Sequence, residues 1–294
     1  MYLTELNRPE WLKVRLNIND KFRQIRELNR RLSLNTVCQE AACPNVATCW
    51  SNLEITYILL GKICTRSCKF CNIIKDKPKA LNPLEPQVIA QAVEELKIGF
   101  VVLTSVARDD LADFGLGQFL DTICLIKNKS PQTKVEILIP DFGTNPELLK
   151  RISHSGADVI GHNIETIASL YPLVRPQANF GNSLNVLKIL KLNNSALITK
   201  TAILLGLGET EAELTKTIRR VKENDVDILY LGQYLKPSKN HWPVKKFYSL
   251  EEFAYYKQIA QSLGFKVVVS EPLARSSWKA RETYELATLK NCHI

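Results

Sequence analysis

Long apolar runs are missing from this 294-residue sequence. The longest, such as "AILLGLG" at 202–208 and "GFVVLTS" at 99–105, are strand-sized, far short of the roughly 20 residues a membrane helix needs. The opening stretch "MYLTELNRPEWLKVRLNIND" has no unbroken apolar segment, so no secretory signal is expected and the chain reads as cytoplasmic, with no membrane partner. Internal repeats and low-complexity linkers are also lacking, which points to one domain. In a reducing compartment a disulfide framework is not expected, so the eight cysteines call for metal or redox chemistry instead.

A concentrated basic face is absent too. The net charge is +9, yet Lys and Arg are interleaved with acids, as in "RRVKENDVD", and cluster only at "KFRQIRELNRR" and "KDKPK". Solvated helix faces and loops account for most of this, and nucleic acid is not an expected partner. Attraction to an acidic protein is the milder functional reading.

What is present alternates. Strand-like segments at 55–60, 100–104, 134–140, 157–163, 198–206, 226–232 and 265–270 are separated by amphipathic stretches at 86–97, 117–128, 145–155, 183–193, 210–223 and 250–263. Val88, Ala92, Val93 and Leu96 show the helical spacing of their apolar residues. Near-continuous apolar strands between helices predict a parallel sheet covered on its outer side. Six or seven such units predict an α/β fold, an open partial (βα)6 barrel. The expected division is an N-terminal extension over 1–53, the barrel over 54–235 and a C-terminal extension over 236–294, in one compact domain. Function is expected at the strand C-terminal ends. Polar groups stand there: Thr104-Ser105, Asp141, His162-Asn163 with Glu165, Gln233-Tyr234, and Lys200 within its strand. Some such residues are simply helix caps, as Thr210 and Glu213 in "GETEAE" are expected to be.

Six of the cysteines fall between residues 38 and 71. Cys124, in "FLDTICLIK", reads as a buried small hydrophobe. "CTRSCKFC" at 64–71 spaces Cys64, Cys68 and Cys71 as Cys-x3-Cys-x2-Cys, directly after the first core strand. Offsets of four and seven would align on one helix face, but "TRS" and "KF" supply no apolar stripe to go with it. Zinc would want a fourth Cys or His at a customary distance. A four-iron cluster held by three thiolates uses the deficit, because one iron keeps an open position for a reacting small molecule.

That segment resembles the signature of radical S-adenosylmethionine enzymes, with Phe70 as the aromatic before the third cysteine. The resemblance implies a partial barrel and a 4Fe-4S cluster whose unique iron is chelated by S-adenosylmethionine, giving a 5′-deoxyadenosyl radical on reduction. A second triplet, Cys38-x4-Cys43-x5-Cys49 in "CQEAACPNVATCW", together with "ARSSWKA" at 274–280, is similar to the lipoyl synthase family. "RPEWLKVRL", "TSVARDDLADFG", "HNIETI", "VRPQANF", "TKTAILLGLGET" and "GQYLKPSKNHWPV" extend the likeness over residues 8–280. Departures from the family pattern are Trp278 for Tyr, "KA" for His-Ala, "TKTAILLG" for "KSGLMVG" and Gln177 for Gly.

The family implies the rest. Sulfur is inserted at C6 and C8 of a protein-bound octanoyl-lysine. A second 4Fe-4S cluster on Cys38, Cys43 and Cys49 serves as donor, with a serine as its fourth ligand. By match that serine is Ser277, with Ser276 the near alternative. Thr104, Asn163 and Glu165 are expected to hold S-adenosylmethionine, with Arg175, for which a surface salt bridge is the ordinary reading. Phe70 either packs near the adenine or shields the cluster. The implied partners are octanoylated lipoyl-domain proteins (2-oxoacid dehydrogenase E2 subunits and the glycine cleavage H protein) and a ferredoxin- or flavodoxin-like reductant. Rival readings are another radical sulfur-inserting enzyme and a two-cluster electron carrier, which would favour four cysteines per cluster.

Overall fold

The computed structural model describes residues 9–12 and 18–289. Most of "RPEWLKVRL", and Cys292, therefore lie outside the described residues. The strands are β1 Thr56–Leu59, β2 Ile63–Cys64, β3 Ile74–Lys75, β4 Phe100–Ser105, β5 Lys134–Leu138, β6 Val159–Gly161, β7 Ile198–Leu205, β8 Ile228–Gln233 and β9 Val267–Ser270. The helices are α1 Asp20–Arg31, α2 Val37–Glu40, α3 Val46–Ser51, α4 Glu85–Glu95, α5 Leu116–Lys129, α6 Pro146–Ser153, α7 Tyr171–Val174, α8 Phe180–Asn193, α9 Glu211–Lys222, α10 Leu250–Ser262 and α11 Ala280–Leu289.

Seven strands form one sheet in the order β1-β4-β5-β6-β7-β8-β9, and every neighbouring pair is parallel. Sequence neighbours are thus sheet neighbours, and each connection passes through at least one of the helices α4 to α10. A sheet wound in one direction places its crossover helices on one face and curls toward a barrel. This one stays open, because β1 and β9 are not paired with each other. Six of the seven strands of this sheet lie within 54–235, and β9 from the C-terminal segment extends the sheet by one. No helix among the described residues is long and apolar enough to cross a membrane.

The core follows from the strand composition. Tyr57, Leu59, Val101, Leu103, Val135 and Ile137 are buried and join Ile89, Val93, Phe119, Ile123 and Ile126 of α4 and α5 in one apolar cluster. A second cluster joins Leu205, Leu229 and Leu231 to Leu214, Ile218, Phe253 and Tyr256 of α9 and α10. Each fully buried Leu, Ile or Phe contributes about 1.5–3 kcal/mol, so the two clusters fix the strand ends that carry the site. Thr210 and Glu213 form the expected capping box on α9, and Ser249 with Glu252 forms another on α10.

The expectation for Cys124 changes on contact with the structure. Cys124 is exposed, not buried. The inward stripe of α5 runs through Leu116, Phe119, Ile123 and Ile126, and Cys124 sits one step off it, facing solvent. The "KFRQIRELNRR" cluster is the outer face of α1, whose inner face buries Phe22, Ile25 and Leu28.

Candidate active site

The strand C-terminal ends enclose a cavity of about 520 Å³, within the range of small-molecule sites. Its wall includes Cys64, Cys68, Phe70 and Cys71, Thr104 of β4, Asp141 after β5, and His162, Asn163 and Glu165 after β6. Arg175 lines it as well, with Arg275, Ser276 and Ser277 from the C-terminal segment. Every expected S-adenosylmethionine contact therefore stands on one surface. Lys200 does not: it is buried in an ion pair with Glu136, 2.8 Å away, and lies 4.5 Å from the centre of the Tyr230 ring. Gln233 is spent on backbone, donating to the carbonyls of Leu205, Tyr234 and Lys246 and accepting from the amide of Tyr248.

Residues 64–71 are a loop apart from the end of β2, so the cysteines are not one helix face. The loop is tied from four directions. Thr65 donates its amide and hydroxyl to the Ala107 carbonyl, and Arg66 grips Asp109 and Asp141, the latter through two bonds of 2.7 Å. Lys69 donates its amide to Val174, and its carbonyl accepts from the Trp242 amide at 2.9 Å. His241 Nε2 reaches the Cys71 carbonyl at 3.2 Å. Ser67 donates its amide and hydroxyl to Gln177 Oε1, so this departure from the family pattern braces the loop. Two backbone amides, of Arg66 and Ala107, point at Cys64 Sγ from 3.4 Å, as they would toward a thiolate.

Around this loop several buried polar atoms lack protein partners: His162 Nε2, Asn163 Oδ1, Arg175 Nε and Ser105 Oγ. His162 Nδ1 lies 3.0 Å from the Ile139 carbonyl, which can only accept, so the ring carries its proton there and leaves Nε2 as a bare acceptor. Burial, reinforced by Arg175, pushes the His162 pKa down to about 4, so the ring is neutral. Arg175 is 8% exposed and donates to the Asn163 and Ile164 carbonyls and to the Tyr171 hydroxyl. Among the described residues it makes no surface salt bridge. Glu165 sits at φ 64°, a left-handed conformation unusual for this residue, and is clamped there by the Ala202 carbonyl and the Leu204 amide of β7. Its carboxylate accepts from Asn163 Nδ2, and burial, opposed by Arg175, pushes its pKa up.

The second triplet rides on short helices. Cys38 lies in α2, opened by Thr36 as N-cap, and Cys49 lies in α3, while Cys43 follows Ala42 at φ 48° between them. Asn72 Nδ2 donates to the Glu40 carbonyl and Asn45 Nδ2 to the Leu273 carbonyl, tying this segment to both the first loop and the C-terminal segment. A smaller void of about 30 Å³, the scale of one water, is lined by Cys38, Cys43, Cys49, Glu54, Arg275, Ser277 and Trp278. Ser276 does not line it. Cys38, Cys43, Arg275 and Ser277 belong to the walls of both spaces. Gly232 makes this possible, since a Cβ there would lie 2.1 Å from the Ala274 carbonyl oxygen and push the 274–278 segment off β8.

All seven described cysteines are free of disulfides. Burial pushes the Cys38 thiol up to about 11 and the Cys71 thiol up to about 12. A thiolate in such a place needs a bound cation to sustain it, which metal ligation provides. Among the described residues no three His, Cys, Asp or Glu converge on a single ion. Thiols spread around a space suit a polynuclear cluster better than one ion, and Cys64, Cys68 and Cys71 have the donor chemistry of an iron–sulfur cluster.

Residues 58–221 match the family model of the radical SAM superfamily. The chain is 44% identical over 284 residues to lipoyl synthase of Caldicellulosiruptor bescii, covering 97% of this chain and 98% of that one. It belongs to the lipoyl synthase family. A fungal relative, the mitochondrial lipoyl synthase of Schizosaccharomyces japonicus, is 45% identical over 283 residues, covering 94% of this chain and 75% of its own. The fold also matches that of methylornithine synthase, with a TM-score of 0.55 at 17% identity over 90% of this chain and 85% of that one. Lipoyl synthases are radical S-adenosylmethionine sulfurtransferases, and that is the enzyme class of this chain.

The sequence pattern named the cysteines, Ser277 and the strand-end polar residues. It missed Arg66, Asp109, Arg275 and Glu54. Arg66, Arg275 and Glu54 stand close in sequence to a motif cysteine or serine, whereas Asp109 is brought to Arg66 only by the fold.

Proposed function

We propose that the chain replaces two hydrogens, at C6 and C8 of an octanoyl chain carried on a protein lysine, with sulfur. Cys64, Cys68 and Cys71 hold the cluster that takes S-adenosylmethionine, and Cys38, Cys43, Cys49 and Ser277 hold a second. When bound, the first cluster with S-adenosylmethionine supplies a carbon-centred radical able to take hydrogen from an unactivated carbon, and the second supplies sulfide. One observation carries the reading: Cys64, Cys68 and Cys71 share a single cavity with Cys38, Cys43 and Ser277. A chain lying in that cavity meets both groups without leaving it.

The residues' own work is binding, orientation and exclusion of water. Glu165, the bare His162 Nε2 and Asn163 Oδ1 accept from hydroxyl or ammonium groups, and Arg175 Nε offers a donor. Thr104 gives its hydroxyl hydrogen to the Leu138 carbonyl at 3.0 Å, which leaves its oxygen free to accept. Ile58, Val106, Leu138, Ile139, Ile203 and Leu204 form an apolar wall for the octanoyl chain. Each methylene buried there contributes about 0.8 kcal/mol.

Ser277 is favoured over Ser276 because it alone shares the small void with all three cysteines. A hard oxygen ligand holds iron in a sulfide environment less firmly than thiolate does, which suits a group that must give up sulfur. The partners in this reading are octanoylated lipoyl-domain proteins and a small iron–sulfur or flavin reductant, in the reducing cytoplasm. Anaerobic reconstitution tests it by metal counting. The parent is expected to hold about eight irons, and a variant with Cys38, Cys43 and Cys49 all changed to Ala about four. A parent fixed near four irons, or one holding chiefly zinc, overturns it.

A further inference from the structure

Two loops that contribute to the cavity wall carry an excess of cations that nothing in the chemistry above uses. The 69–79 segment holds Lys69, Lys75, Lys77 and Lys79 against the single acid Asp76. The 235–249 segment holds four lysines, Lys236 and Lys239 among them, and no acid. Phe70, Cys71, Asn72 and Ile73 of the first segment and Leu235, Lys236 and Pro237 of the second line the cavity itself. The loops are bound together by the Trp242 amide on the Lys69 carbonyl and by His241 on the Cys71 carbonyl. Lys69, Lys75, Lys77, Lys79 and Lys239 are exposed, and Lys236 is half-buried. Among the described residues none of these six forms a salt bridge.

We propose that this basic rim is the docking surface for the protein that carries the octanoyl-lysine, and that this partner presents an acidic face beside the modified lysine. The inference rests on the reading that the substrate chain is protein-bound. A tethered chain enters the cavity only if its carrier sits over the mouth, and unpaired lysines on the loops of the cavity wall attract an acidic carrier and orient it. A nucleic-acid partner fits less well. Phe70, Trp242 and Phe247 are each half-buried, Trp242 with its indole N–H given to the Leu207 carbonyl, so among the described residues these loops present no fully exposed aromatic for base stacking.

The test uses the reconstituted full chain and a variant with Lys75, Lys77, Lys79 and Lys239 changed together to Glu. Each is assayed on an octanoyl-lysine peptide and on an octanoylated, acidic lipoyl domain, and binding of that domain is measured directly at low and at high salt. The expected result is a fall of at least tenfold in kcat/KM on the domain, a matching rise in Kd that high salt erases, and peptide turnover within about twofold of the parent. Unchanged domain binding overturns the docking surface, and so does an equal fall on peptide and domain. Loss of single-stranded RNA binding as the sole effect overturns it as well, and assigns the rim to nucleic acid. A parent that turns over no peptide yet binds the domain through the rim removes the sulfur-insertion reading and leaves the docking surface standing.

Discussion

The 64–71 loop and the 38–49 segment both present three thiols, but they are built differently. The loop is gripped by side chains and backbone from beyond β4, β5, β6 and β8, with Arg66 bridging two of those connections. The 38–49 segment rests on two helices of four and six residues, and its fourth candidate ligand arrives from residue 277. A short helix contributes little stability of its own. One site is thus fixed by the frame of the barrel, while the other is assembled from both ends of the chain around its edge. The contrast matches the roles proposed: a group that must return unchanged after each turnover, and one that must come apart.

Breaking each site in turn separates the two most sharply. Cys64→Ala, Cys68→Ala or Cys71→Ala is expected to abolish both 5′-deoxyadenosine and the thiolated product. Cys38→Ala, Cys43→Ala or Cys49→Ala is expected to spare 5′-deoxyadenosine and abolish only the thiolated product. Chromatographic quantification of both species in each variant checks this, and thiolated product from any of the second three would end the division of labour.

A finer probe is Ser277→Cys. Thiolate holds iron more firmly than a serine oxygen, so the second site should keep its iron while product yield in a single turnover falls several-fold. Ser277→Ala should instead lower the iron content. Parent-like behaviour of both variants would return the assignment to Ser276.

The rigid site has a stability signature of its own. Burial works to raise the Asp141 pKa, but the Arg66 hydrogen bonds and charge outweigh it and hold the carboxyl below its ordinary range. A depressed pKa stabilises the folded chain above the unfolded value, about 4, and that contribution is lost as pH falls through the folded value. Arg66 and Asp141 are 11% and 9% exposed in their side chains, so Arg66→Met should cost about 3 kcal/mol at pH 7. Asp141→Asn should lower Tm at pH 7 and flatten its decline below about pH 4. Calorimetry across that range decides; an acid limb of unchanged steepness in Asp141→Asn would detach the pair from loop stability.

How much of this could be read in advance divides along the same line. The seven main strands and their intervening helices announced themselves by period, because each buries a stripe or a face of its own. Cys64, Cys68 and Cys71 stood out by spacing, while the roles expected of the second triplet and of Ser277 came from the family resemblance. The helices α2, α3 and α7 were not legible, being only four, six and four residues long, and neither were the ties that orient the site. Arg66 meets Asp141 across 75 positions and Asn45 meets Leu273 across 228, and pairings so distant leave no local pattern. Cys124 shows the converse, a residue whose type suggested burial and whose helical phase placed it outside.

The central claim is that the 38–49 segment holds the sulfur source and the 64–71 loop the radical source, across one shared cavity. The most direct measurement is the isotopic composition of the product after one turnover by protein reconstituted with 34S-sulfide, in buffer containing unlabelled sulfide. The account predicts that both sulfur atoms in the thiolated octanoyl-lysine peptide carry the label. Unlabelled sulfur in the product would contradict it.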